Sequence, residues 1–412
     1  MNRSIIKHEF KMMFNSKKNI LFIIALIAII LSYCFIILPT QITPDSFDSE
    51  RAKNNLEDLE IVQKGMKKRG ATGFMPMSGG AIYAQGEVEY NIQSKLITSF
   101  EDGDYLRFLR FRLNDSSLYN DIIERNFSAP SQFRGMDISH TYTQAQERYL
   151  SYLNSDLTIT YQMIEQKTAL QTIQNFLLSS AVLFILFCAI YFSSDVLTKD
   201  RQYQSVLQGL PVSWYRLINL KSFVAFGYSL LILAGLFALA VITLTLLNGF
   251  GSFDIPIITT EPNDFDADEE LYYGHGNPYL KYDSITMGKF LVLTIGFLPI
   301  LIYLFIRLNA IFSLLFKNTW IVLMVSSILL FSEFIYFSRT TRELFGLDIS
   351  NFPQTYFNIG KIVTGEKFYL LNLETMSYNK GWLVLIITVL VVEVLLFITS
   401  RMISKRRFYQ GA

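Results

Sequence analysis

Six long apolar stretches constrain this chain more than any other feature. They are Asn19–Leu38, Phe176–Ser193, Phe223–Leu247, Phe290–Ile306, Asn318–Ser338 and Trp382–Ser400. Each is close to the roughly 20 residues an α-helix needs to cross about 30 Å of hydrocarbon. A bilayer offers no water to backbone N–H and C=O groups, so only helices and closed barrels span it. Runs this continuously apolar are not the alternating strands of a barrel. The composition agrees, with 51% hydrophobic and 17% charged residues where a soluble domain carries about 25% charged. That balance argues against a disordered chain and against a soluble enzyme. The expected fold class is an all-α polytopic membrane protein with six transmembrane helices.

Lys plus Arg (36) nearly cancel Asp plus Glu (35), so bulk positive charge does not serve a nucleic acid. The charges are instead sorted by segment. If the N-terminus is cytoplasmic, segments 1–18, 194–221, 307–318 and 401–412 lie inside and hold 15 Lys/Arg against 3 acids. Segments 39–175, 248–289 and 339–381 lie outside and hold 21 basic and 30 acidic residues. Short inner loops rich in Lys and Arg are what the positive-inside rule requires. Both termini are therefore expected in the cytoplasm. The run after Lys17 and Lys18 is too long for a signal-peptide core and reads as an uncleaved first span. The two cysteines, Cys34 and Cys188, fall within spans and leave the exterior portion without a disulfide framework. A bacterial plasma membrane fits that usage.

Residues 1–18 read as an amphipathic cytoplasmic or interfacial helix, with Ile6, Phe10, Met13 and Phe14 on one face. Segment 39–175 is long enough for a small extracellular domain. It reads as mostly helical around Ser49–Arg69, Ser94–Asn126 and Thr141–Gln174, with a glycine-rich turn over Gly70–Gly86. Segment 248–289 reads as an acidic extracellular loop carrying Asp264, Asp266, Asp268, Glu269 and Glu270. A calcium loop would need glycine at its sixth position and glutamate at its twelfth; Glu269 and His275 stand there, so no metal is expected. Segment 339–381 is an extracellular or interfacial stretch, either a plain loop or short helices at the outer boundary. Segment 401–412 is a basic cytoplasmic tail.

The inner loop 194–221 is the most informative stretch. A helix there places Tyr203, Val206, Leu207 and Leu210 on one apolar side. Pro211 stops it, and Ser213 can cap the helix that restarts into the third span. Such an element, held between two spans, can transmit a push from a soluble partner. The alternative is a helix that simply lies on the membrane.

The run Leu210-Pro211-Val212-Ser213, followed by Arg216 and Lys221 before an apolar span, resembles the coupling region of type-2 ATP-binding-cassette (ABC) exporter permeases. The six-span plan, the amphipathic N-terminal helix and the long segment before the last span resemble that family too. The large exterior domain after span 1 is similar to one of its branches. Asp200 and Gln202-Tyr203 stand where members commonly carry a glutamate and Gly-Thr, and Trp214 stands where an arginine is usual. The resemblance implies that Asp200, Tyr203, Val206, Leu207, Leu210, Pro211 and Arg216 couple the chain to an ATPase. It implies two cytoplasmic phosphate-loop ATPase copies, a second permease copy or a paralogue, and export of an amphipathic substrate such as a peptide, bacteriocin, lipid or drug. This chain has no G-x-x-x-x-G-K-[ST] run, so ATP and Mg would sit on the partner ATPase. No cofactor and no catalysis of its own are expected of the chain.

Polar groups inside spans are functional candidates. Glu393 lies near the middle of the sixth span, where it can line a translocation path or bond a neighbouring helix. Glu333 lies toward the outer end of the fifth, at a depth differing by roughly 10 Å, so the two do not form a carboxylate dyad. Pro299 is expected to kink the fourth span, and Arg307 to reach from its end to the inner headgroups. H-E-x-x-H and G-x-S-x-G are absent. The competing readings are an ion-coupled carrier using Glu393, a force-transmitting membrane subunit without transport, and an intramembrane enzyme. A carrier would typically show an internal repeat, and none is visible.

Overall fold

The computed structural model describes residues 2–43, 45–72, 80–115, 118–119, 122, 138–203, 212–262, 280–336, 341–371, 373 and 375–410. The protein is a mostly helical, multi-pass membrane protein. Among the described residues five helices are long and apolar enough to cross a bilayer: Lys17–Thr40, Ser180–Arg201, Trp214–Asn248, Met287–Leu315 and Tyr378–Met402. The first contains a widened π-turn at Tyr33–Ile37, just before Pro39, which has no N–H to continue the ladder. The third, at 35 residues, is about 52 Å long and extends well beyond the hydrocarbon.

The expected span Asn318–Ser338 is not one continuous helix. Asn318 caps a 12-residue helix, Thr319–Leu330, by accepting from the Trp320 amide. A turn at Phe331–Ser332 follows, then the short helix Glu333–Tyr336. The break falls where Ser332 folds its hydroxyl back onto the Leu329 carbonyl and Glu333 introduces a buried charge.

The chain forms two compact units. The first comprises Met1–Pro39, Thr172–Phe250 and Met287–Ala412. Its core is formed mainly by the Ser180–Arg201 and Met287–Leu315 helices, through residues such as Leu186, Ile190, Phe192, Leu301 and Phe305. A polar seam pins the core together: Asn309 donates to the Ile190 carbonyl (2.8 Å) and Ser193 Oγ (2.6 Å), and accepts from Ser326. The Met287–Leu315 helix runs through Pro299 without interruption. Ahead of the last span, the chain makes four short helical pieces, Ile349–Asn351, Pro353–Tyr356, Ile359–Val363 and Glu366–Leu371, with Ile349, Tyr356, Ile359 and Leu371 in the core.

Gly360 seats this segment. A Cβ there would stand 2.2 Å from the Leu177 carbonyl oxygen and 2.6 Å from its carbon, which is backbone and cannot swing aside. Gly360→Ala is expected to cost about 1–3 kcal/mol by overpacking. The check is the melting temperature of the purified protein in mild detergent. Gly381→Ala, whose Cβ would meet the Tyr356 ring at 2.7 Å, is the gentler control because a ring can tilt.

The second unit comprises Thr40–Gln171 and Gly251–Thr286. Helices Ser49–Lys68, Gly80–Glu101, Tyr105–Arg112 and Ile138–Leu153 build most of it. Asp48 and Asp104 cap the first and third through backbone amides. Phe47, Phe100, Phe108 and Tyr161 form an aromatic cluster with centroids 5.0–5.7 Å apart. Asp45, fully buried, accepts from Arg148 (2.7 Å), Tyr149 Oη (2.6 Å) and Gln166 (2.6 Å). Burial and the neighbouring Asp45 charge push the Tyr149 phenol well above its ordinary range.

Segment 248–289 is more than an acidic loop. Pro256–Pro262 and Leu280–Thr286 pair antiparallel, Ile257 opposite Ile285 and Thr260 opposite Tyr282. The hairpin packs on the Ile138–Leu153 helix, with the Tyr282 hydroxyl 2.7 Å from His140 Nδ1. The acidic run Asp264–Glu270 lies outside the described residues.

Candidate functional site: a buried charge hub and a polar cleft

Within the first unit, three segments far apart in sequence meet at Lys221. This residue lies two turns into the Trp214–Asn248 helix and is 1% exposed. Its ammonium sits 2.7 Å from Glu9 on the N-terminal helix Asn2–Phe14 and 2.7 Å from Asp200 on the 3₁₀ turn Thr198–Tyr203. Two buried carboxylates thus share one cation. Asp200 Oδ2 and the Tyr409 hydroxyl are buried without a hydrogen-bond partner among the described residues.

Apolar packing holds the same elements. The amphipathic face of the N-terminal helix is packed onto protein: Phe10 and Phe14 meet the Tyr228 ring at 6.0 and 5.1 Å, and Tyr228 meets Phe192 at 5.4 Å. The tail forms a helix, Lys405–Gln410, that buries Phe408 and Tyr409. Phe408 meets the Trp214 ring at 5.1 Å and lies beneath the Arg201 guanidinium at 4.3 Å. Trp214 Nε1 donates to the Ile403 carbonyl at 3.0 Å. Nearby, Asp195 draws in Lys199 (2.5 Å) and Lys18 (3.5 Å).

This hub frames the expected coupling element from both sides. Asp200 is in it; Tyr203 ends the 3₁₀ turn, though its side chain lies outside the described residues. Val206, Leu207, Leu210 and Pro211 lie outside them altogether. Ser213 occupies the cap position of the next helix, but its side chain makes no capping bond. Glu9, Phe408 and Tyr409 were not foreseen.

Arg216 faces elsewhere. It is exposed at a cleft of about 390 Å³ together with Asn219, Ser222, Tyr303, Arg307 and Glu393, and with Leu220 and Phe223 on its apolar wall. At its base Arg307 grips Glu393 with two bonds, Nε to Oε1 and Nη2 to Oε2, both 2.5 Å. Arg307 Nη2 also donates to Asn219 Oδ1 (2.8 Å), and the Tyr303 hydroxyl to Glu393 (2.7 Å). Arg307 therefore does not end its helix and extend to the surface: it is 3% exposed, and its helix continues eight residues further, to Leu315. Glu393 bonds the neighbouring Met287–Leu315 helix through Tyr303 and Arg307 and also borders the cleft.

Glu333 is elsewhere, in a buried ion pair with Lys367 of the Glu366–Leu371 helix. Glu333 and Glu393 are not brought together, each being held by its own base. Among the described residues no three His, Cys, Asp or Glu side chains gather as a metal set. No family model matches the sequence, no curated protein matches it, and no solved structure matches the fold.

Proposed function

We propose that this chain is the membrane-spanning subunit of a type-2 ABC exporter, lying in a bacterial plasma membrane with both termini cytoplasmic. Separate phosphate-loop ATPases drive it, and it forms a translocation pathway with a second permease copy or a paralogue. It does no catalysis of its own. The observation that carries this reading is the hub. The N-terminal helix, the turn after the second span and the start of the third are clamped on one buried ammonium. The described residues on either side of the expected coupling stretch, Asp200 and Lys221, are thus joined directly by an ion pair.

Geometry supports the six-crossing topology as well. Trp214 opens one long helix, and Ile403, whose carbonyl it bonds, closes another. Three long helices lie between them, an odd number that would leave those residues on opposite faces. The broken Thr319–Tyr336 segment, an apolar stretch between the last two, supplies a candidate for one further crossing. Residues 40–171 and 251–286 share one compact unit, so the loops after spans 1 and 3 occupy the same side, as the charge pattern requires.

The tagged chain, drawn from its native membrane in gentle detergent, is expected to bring a phosphate-loop ATPase in stoichiometric amount, detected by mass spectrometry. Leu207→Asp is expected to release that ATPase while leaving membrane insertion intact. A preparation free of ATPase that moves an ion in liposomes would replace this reading with the carrier.

A further inference from the structure

We propose that the cleft between the Trp214–Asn248, Met287–Leu315 and Tyr378–Met402 helices binds the phosphodiester headgroup of an anionic phospholipid. The inference rests on the membrane-spanning architecture and not on the exporter reading. Charge is the first argument. Arg216 and Arg307 against Glu393 leave the cleft with one net positive charge, the complement of a phosphodiester monoanion. Arg307 is only partly used: Nε and Nη2 are engaged, while Nη1 has no acceptor among the described residues. Arg216, exposed at the mouth, has no hydrogen bond or ion pair among them either. Guanidinium groups of this kind bind phosphate oxygens through charge-assisted, geometrically matched bonds.

Position is the second argument. Arg216 is in the first turn of its helix, seven residues before the apolar run that begins at Phe223, and Asn219, one turn further, contacts Arg307. The cationic groups therefore step inward from the headgroup level. Phe223 follows a turn later, is 64% exposed, and offers an apolar surface to an acyl chain. Free phosphate would satisfy the guanidinium groups but leave that surface bare. The cleft's size lies at the lower end of the roughly 300–1,000 Å³ of small-ligand sites, which suits a headgroup.

The test uses the full chain, stripped of lipid in detergent and followed by native mass spectrometry with short-chain phosphatidylglycerol, phosphatidylcholine and inorganic phosphate as probes. Phosphatidylglycerol is expected to bind saturably and more tightly than phosphatidylcholine, with inorganic phosphate failing to displace it. Arg216→Ala should weaken it about tenfold or more, the scale of losing a charge-assisted bond, and Arg216→Lys should recover part of that. Because Arg216 is exposed, the lipid-free melting temperature should not change. Unaltered affinity in Arg216→Ala, or no preference for phosphatidylglycerol, would overturn the proposal. Displacement by inorganic phosphate at equal concentration would overturn it in favour of a free anion.

Discussion

Lys221→Met is expected to unfold the end of the helical bundle where Glu9, Asp200 and Lys221 meet. Glu9 and Asp200 would remain buried, within reach of each other and without a cation. Removing one partner from a buried ion pair costs about 3–5 kcal/mol because the remaining charge stays desolvated. Here two like charges would remain, so the loss should reach at least the upper end of that range. The single carboxylate changes behave differently. In Glu9→Gln or Asp200→Asn, Lys221 keeps one carboxylate at 2.7 Å, and the site becomes electrically balanced. Each should therefore cost far less than Lys221→Met. The triple change Lys221→Met with Glu9→Gln and Asp200→Asn removes every charge and should restore much of the lost stability. Melting temperature and monodispersity in mild detergent report all four. If Lys221→Met melts with the wild type, the hub does not hold these helix ends together.

Hydropathy made five spans legible because continuous apolar surface is a local property of the chain. The helices run on past the apolar stretches wherever a charge is neutralised by a distant partner. The Trp214–Asn248 helix begins nine residues before Phe223, since Arg216 and Lys221 look like loop charges until Glu9 and Asp200 are placed beside Lys221. Arg307 likewise looked like an end signal and is the buried partner of Glu393. Glu9 offered no spacing clue, because Lys221 is 212 residues away. The break in the fifth apolar stretch was hidden because hydropathy averages over Ser332 and Glu333. The hairpin, by contrast, was readable. Ile255 to Thr260 is a β-branched run interrupted only by Pro256, which stands at the first position of its strand, where proline is tolerated.

The Arg307–Glu393 pair distinguishes the two transport readings, and its loss should be almost as costly as that of the hub. The two residues lie at matching distances from the C-terminal ends of their helices. Arg307 is eight residues before Leu315 and Glu393 nine before Met402, about 12 and 14 Å from those ends. An unpaired Arg within a span costs up to about 2.5–3.5 kcal/mol on insertion scales, the upper figure applying at its centre. Glu393→Gln leaves Arg307 in that position, with weaker bonds from Tyr303 and from Arg307 itself, and should lower the melting temperature and the inserted yield. Arg307→Met strands Glu393 in the same way. Arg307→Met with Glu393→Gln should recover stability beyond either single change, since neither charge remains to be compensated. A carrier that loads its ion on Glu393 makes the opposite forecast: Glu393→Gln would abolish transport with little change in melting temperature, and adding Arg307→Met would rescue nothing. Melting temperatures of the two single variants and the double therefore separate a pair that holds helices together from a carboxylate that carries cargo.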